Sequence, residues 1–366
     1  MSQTGISLVE LLVCLGLALA ISLAAVAAAI NSRGALASQD ESSRMVESGL
    51  YALSVIDRAV RQTGFEHWNG SQAHGDDGLS SWVLGLDDAS LPSSSAALSG
   101  ATAPGLNRSD VLALRHVGSG LGSADGSMLN CAGVAMAQAS ADDLENGRGW
   151  SIFHVARGDL AEPELRCKYR SEDGLKWDSQ AVASGVEAMQ VLYGVDQDGD
   201  GLPERYLRAA AMPDDKAWRS VVSLRVSLLV RSSQFQPEVA GTRVHDLFVG
   251  AYASEAGQQD PGVRFDESKV AAGERQRLRR VFALTMVLRN RGGKVDAGGT
   301  GATASTVGTA GTGGIGGITG TGGIASTGGA ASTDGAAGTG GAAGTGGIGG
   351  IGGTASTDGA APGSAN

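Results

Sequence analysis

The chain has 366 residues, a net charge of -10 and Gly 58, with much of that glycine beyond Gly292. An acidic balance of this kind excludes a broad nucleic-acid-binding face, which needs clustered Lys and Arg in excess. The length allows one or two domains.

The first element runs from Ile6 to Ile30, ISLVELLVCLGLALAISLAAVAAAI, apolar throughout except for Glu10. A run of this length crosses the hydrocarbon core as a helix rising about 1.5 Å per residue. A secretory signal peptide would open on basic residues and carry a shorter apolar core and a small-residue cleavage site. The leader Met1-Ser-Gln-Thr-Gly5 holds no Lys or Arg. A plain anchor needs no acid, and an acid inside a spanning segment marks function with a partner to be named. The stretch Gly5-Ile6-Ser-Leu-Val-Glu10-Leu resembles the cleavage motif of type IV prepilins. That motif is a short leader ending in Gly, an apolar residue next, and Glu as the fifth residue of the mature chain. The resemblance implies that a prepilin peptidase cuts between Gly5 and Ile6 and methylates the new N-terminus. Glu10 of one subunit would then pair with the α-ammonium of its neighbour, which offsets the cost of burying each charge alone.

Beyond Arg33 the pattern stays helical. Val46, Leu50, Leu53, Ile56 and Val60 recur at three- and four-residue steps, with Asp40, Glu41, Arg44, Glu47, Arg58 and Arg61 mostly off that stripe. Gly64 supplies a stop, so one helix is expected from the membrane to about Thr63. From Phe65 to about Leu106 the sequence is rich in Gly, Ser, Asp and Ala and reads as loops, anchored by Trp68 and Trp82. Strands are expected at Asp110–Val117, Trp150–Val155, Leu165–Tyr169 and Val186–Val195. In Val221–Arg231 the even positions are apolar and the odd ones mostly polar, which predicts a half-buried antiparallel strand. Leu278–Arg289 repeats the theme, with Phe282, Leu284, Met286 and Leu288 on one side. Arg275, Arg277, Arg279 and Arg280 at its start read as a solvated strand end. A helix with one apolar stripe and a sheet with one apolar face close by packing together, so the expected class is α+β.

Three features bear on chemistry. Of 3 Cys, Cys14 lies in the membrane run, and Cys131 and Cys167 form an even pair in the part placed outside the cytoplasm. An oxidising compartment makes a disulfide between them the default. Asp196-Gln-Asp198-Gly-Asp200-Gly201 has the spacing of a calcium loop, with Leu207 where an EF-hand needs its bidentate Glu and Glu204 as a substitute in a shortened loop. A divalent cation and an acidic hairpin turn both remain open readings of it. The five His are scattered without ligand spacing, and no catalytic activity and no required cofactor are expected.

Further residues sharpen the resemblance. In order they are Glu47-Ser-Gly-Leu-Tyr-Ala-Leu53, Arg61-Gln-Thr-Gly-Phe65, Asn107-Arg-Ser-Asp-Val111, the two Cys, Gly185-Val-Glu-Ala-Met-Gln-Val-Leu-Tyr-Gly-Val-Asp196, and Trp218 before the long strand. From Gly5 to Arg291 the chain looks like the PilW family of type IV pilus minor pilins. The resemblance implies a prepilin leader (1–5), a transmembrane assembly helix (6–30), its amphipathic continuation (31–64) and a periplasmic β-rich pilin domain (65–291). It also implies the inner membrane, the prepilin peptidase and other minor and major pilins as partners, with no nucleic acid. A type II secretion pseudopilin, or a membrane-anchored surface adhesion protein, would share the anchor. The tail, 292–366, is low-complexity Gly, Ala, Thr, Ser and Ile with Gly opening most triplets, and Ala331–Ala337 recurs at Ala355–Ala361. Its only proline is Pro362, so nothing presets the backbone of its glycines, and the tail is expected to be disordered.

Overall fold

A computed structural model of the chain describes residues 7–65, 80–120, 123–139, 144–171, 174, 176–235, 242–250, 252 and 259–290, all within one unit, Met1–Thr300. Gly5, Ile6, Trp68 and the tail lie outside the described residues.

Helix α1 spans Leu8–Gln62. Its second half buries Met45, Ala52, Leu53, Ile56, Ala59 and Val60, while its first half stands clear of the domain. Full burial of an aliphatic side chain such as Ile56 contributes about 1.5–3 kcal/mol. Leu53, Ile56 and Val60 of the expected stripe are buried, but Leu50 is 57% exposed, and Gly49 takes the inward position beside it. Space explains the exchange, because a Cβ at Gly49 would sit 2.6 Å from the Phe282 ring. The helix stops at Thr63, whose N–H and hydroxyl both reach the Ala59 carbonyl. Gly64 then turns the chain at φ +73, and its N–H donates to the Arg115 carbonyl. A side chain there would strain the backbone and meet the Asn290 carbonyl oxygen at 2.3 Å.

Two antiparallel sheets pack with this helix. The first contains β1 (Val83–Leu86), β2 (Val111–His116), β3 (Gly149–Arg157), β4 (Pro163–Arg170) and β5 (Trp177–Ser184), in that spatial order. The second has the order β11-β8-β6-β7, built from β6 (Val186–Val195), β7 (Arg205–Leu207), β8 (Val221–Arg231) and β11 (Arg279–Val287). Helix α2 (Leu144–Gly147) precedes β3, and α3 (Asp215–Arg219) precedes β8. The helix stripe, Leu112 and Leu114 of β2, Phe153 of β3, Leu165 of β4, Met189 and Tyr193 of β6, Leu224 and Val226 of β8, and Met286 of β11 form one core. The class is α+β, as expected from the patterning.

Three expectations change. β8 is not half-buried: every residue except Arg225 is buried. Its second face is covered by the two-stranded β9 (Val244–Asp246) and β10 (Arg264–Asp266) with their flanks, through Leu229, Ala188, Leu247 and Phe265. The Phe65–Leu106 stretch is not all loop, since β1 pairs Val83 to Leu86 with Leu114 to Val111. Trp82 does anchor it, lying under the Arg148 guanidinium at 4.4 Å. Phe282 and Met286 on β11 and Leu288 just after it are buried, but Leu284 is 41% exposed because β11 is a sheet edge.

Candidate functional site

The N-terminal half of α1 is the first candidate. From Ser7 to Asp40 the described side chains are exposed, with Ser38 alone partly covered. Among the described residues α1 is the one helix long and apolar enough to cross a membrane. Glu10 lies in its first turn, where the unpaired N–H groups of the helix end favour a negative charge. The predicted processing pair, Gly5 and Ile6, lies outside the described residues, so the structure positions Glu10 but not the amine expected to meet it.

The cysteine pair is joined. Cys131 and Cys167 form a disulfide with Cα atoms 5.9 Å apart, tying the loop before β3 to the middle of β4. Cys131 is further held by its N–H, which donates to Ser151 Oγ at 2.9 Å. The loop meets α1 across a half-open groove of about 230 Å³ lined by Tyr51, Arg58, Asn130 and Gln180 among others.

The acidic stretch forms the hairpin between β6 and β7. Asp196 accepts from the N–H groups of Gly199 and Gly201, Asp198 from that of Asp200, and Asp200 from that of Leu202. Glu204 folds back to accept from the Gln197 N–H at 2.6 Å. One ligand atom from each of Asp196, Asp198, Asp200 and Glu204 lies within 4.8 Å of the others. Four carboxylates gathered so closely repel one another, and a hard divalent cation with oxygen preference suits that donor set. The stretch is an acidic hairpin turn whose carboxylate oxygens converge. Glu204, the substitute ligand offered by the sequence, lies with the three aspartates.

Two features escaped the sequence reading. Of the Arg cluster at the start of β11, Arg280 is exposed as expected, but Arg277 and Arg279 are not solvated. Arg277 and Arg279 are buried and paired: Arg279 Nε lies 2.6 Å from Glu187, and Arg277 Nε 3.1 Å from Glu274. Arg231 at the end of β8 joins them through Glu162 at 2.6 Å. Removing one partner from the fully buried Arg279–Glu187 pair costs about 3–5 kcal/mol, since the other charge is left unpaired. The missed signal was the row of acids at Glu162, Glu187, Glu267 and Glu274 available to neutralise the arginines.

The second feature is Glu41, read from the sequence as a solvent-facing residue yet only 5% exposed. Its carboxylate accepts from the Ser233 N–H at 3.0 Å, the Gln234 N–H at 3.2 Å and the Ser233 hydroxyl. The signal was its register: Glu41 stands one turn before Met45 on the buried stripe.

Buried titratable groups elsewhere are structural in geometry. Burial pushes the His116 and His154 imidazoles down to about 4, with Arg166 and Lys168 adding to the effect at His154. Burial also lifts the Asp260 carboxyl to about 6, against the hydrogen bond donated by Tyr252.

Comparison with curated proteins and with solved structures gives no match. Residues 152–290 match the family model described as Type IV Pilus-assembly protein W. The match begins in β3, takes in the disulfide's Cys167, the acidic hairpin and the buried arginines, and ends at Asn290, the residue docked on the end of α1. From Ile152 to Asn290 the β-rich part of this chain is therefore similar to the type IV pilus-assembly protein W family.

Proposed function

We propose that the protein is a minor pilin that primes or takes part in type IV pilus assembly through its N-terminal helix. The chain sits in the inner membrane with the β-rich domain in the periplasm. The prepilin peptidase cuts between Gly5 and Ile6 and methylates Ile6. The freed helix then packs among the helices of other minor and major pilins, and Glu10 meets the N-terminal ammonium of a neighbour. The role is structural rather than catalytic. The observation that carries this reading is the helix itself. Its exposed apolar first half holds one acid, in the first turn, and its second half is built into a PilW-type domain. A divalent cation at Asp196, Asp198, Asp200 and Glu204 belongs to the same proposal, supported by the convergence of their oxygens.

The test is N-terminal mass spectrometry of protein extracted from membranes, paired with assembly assays of Glu10→Ala. The expected chain starts at N-methylated Ile6. Glu10→Ala is expected to be processed normally and to be depleted from sheared pili. A protein that keeps Met1 to Gly5 in cells with an active peptidase would overturn the proposal.

A further inference from the structure

We propose that Glu41 is a positioning residue: with Ser233, Gln234 and Arg277 it fixes the direction in which the apolar half of α1 leaves the β-rich domain. The inference rests on the reading of α1 as the assembly element.

The geometry is that of a charge pair acting through two peptide groups. The Ser232–Ser233 peptide donates its N–H to Glu41 at 3.0 Å, and its carbonyl accepts from Arg277 Nη1 at 2.9 Å. The Ser233–Gln234 peptide does the same, its N–H donating to Glu41 at 3.2 Å and its carbonyl accepting from Arg277 Nη1 at 2.6 Å. Both peptide dipoles therefore point their positive ends at the carboxylate and their negative ends at the guanidinium. Each charge polarises the bonds made by the other, which strengthens them in a buried setting. Arg277 is itself fixed, its guanidinium paired with Glu274 and Glu162 and stacked 4.2 Å from the Phe235 ring. The helix is thus bolted to the rigid end of β8 and to the start of β11.

Position gives this bolt its role. Glu41 is the first buried residue of α1 among the described residues, and every described side chain before it is exposed or, at Ser38, partly covered. The next anchors come two turns later, where Ser48 Oγ donates to the Ser184 carbonyl at 2.8 Å and Phe282 fills the space over Gly49. Between Glu41 and Ser48 the helix buries Met45, and Val46 is half-buried against the same core. Without the carboxylate, these two turns keep only Met45 and the half-buried Val46 to hold them down, and the free half of the helix can swing about Ser48.

The experiment is hydrogen exchange, read by mass spectrometry, on the full chain in detergent micelles. It compares the wild type with Glu41→Ala, Glu41→Gln and Asp40→Ala. Hydrogen bonds to a charged group are individually strong enough that losing three speeds local opening by at least about tenfold. In Glu41→Ala, amides of 41–48 and 232–235 are expected to exchange at least about tenfold faster, with β6 and β8 unchanged. Glu41→Gln keeps an acceptor oxygen and is expected to recover part of the protection. Asp40→Ala, on the exposed side, is expected to match wild type. Unchanged exchange over 41–48 in Glu41→Ala overturns the inference, and so does equal acceleration of β6 and β8, which marks general destabilisation. Exchange is read without reference to pili. A failure of Glu10→Ala to impair assembly would sink the proposed function and leave the exchange result standing.

Discussion

Opening the Cys131–Cys167 disulfide by the double change to Ala is expected to destabilise the domain by about 4 kcal/mol. The figure follows from the 36 residues separating the cysteines, whose closure restricts the unfolded chain. In the chain-entropy relation a loop of that length removes about 13 cal/mol/K, or about 4 kcal/mol at 25 °C. The native state adds little to this figure. Cys167 is fully buried, but each change to Ala deletes only one heavy atom, the sulfur. For a domain of this size the loss corresponds to a fall in Tm of about 10 °C. Calorimetry on the detergent-solubilised full chain measures it, with the reduced wild type as an independent route to the same state. A double variant within about 1 kcal/mol of wild type would show that the loop, with its Ser151 bond and its own Leu129–Ala135 bridge, is already closed without the sulfurs.

The buried histidines predict an acid-labile domain. The fold favours neutral His116, so its contribution is intact above the usual 6.5 and is lost as pH falls toward about 4. The loss is about 3 kcal/mol at most, and His116→Gln should flatten that part of the stability profile. An unaltered profile refutes the assignment. Asp260, lifted to about 6, acts in the opposite sense, its contribution being present at low pH and lost as pH rises through that value, so variant and wild type are compared as differences. Calcium at about 10 mM is expected to raise the wild-type Tm by a few degrees, as a site of about millimolar affinity would. Asp198→Asn with Asp200→Asn should abolish the rise, and a wild type indifferent to calcium leaves the hairpin as a turn alone.

What the sequence revealed depended on whether one residue pattern had one physical reading. The 3.6-residue period and Gly64 gave the course of α1 nearly to the residue, because burial and helix geometry agree there. The cysteine pair was legible from count and compartment. The bounds of β8 were plain, but its alternation misled: Ser223, Ser227 and Arg231 are polar and buried, and on the same face Leu229 is covered by chain that returns from Val244 onward. No local pattern announces cover that arrives from elsewhere in the sequence. β5 was missed for the opposite reason. Trp177-Asp-Ser-Gln-Ala-Val-Ala-Ser184 is an edge strand with four exposed positions, so it carries no apolar alternation to read. Glu41, Arg277 and Arg279 were misjudged together, since charges look solvated until their partners, far along the chain, are brought beside them.

The point at which α1 first touches the domain also sets a standoff. A bilayer that held the helix as far as Ile30 would leave the described side chains of 31–40 exposed, apart from the partly covered Ser38, before Glu41 makes contact. Ten helical residues rise about 15 Å. The polar layer of one leaflet is about 5–7 Å deep. The globular part would therefore ride clear of the lipid surface on a short rigid stalk, leaving headroom beneath it for a neighbouring subunit to slide in alongside.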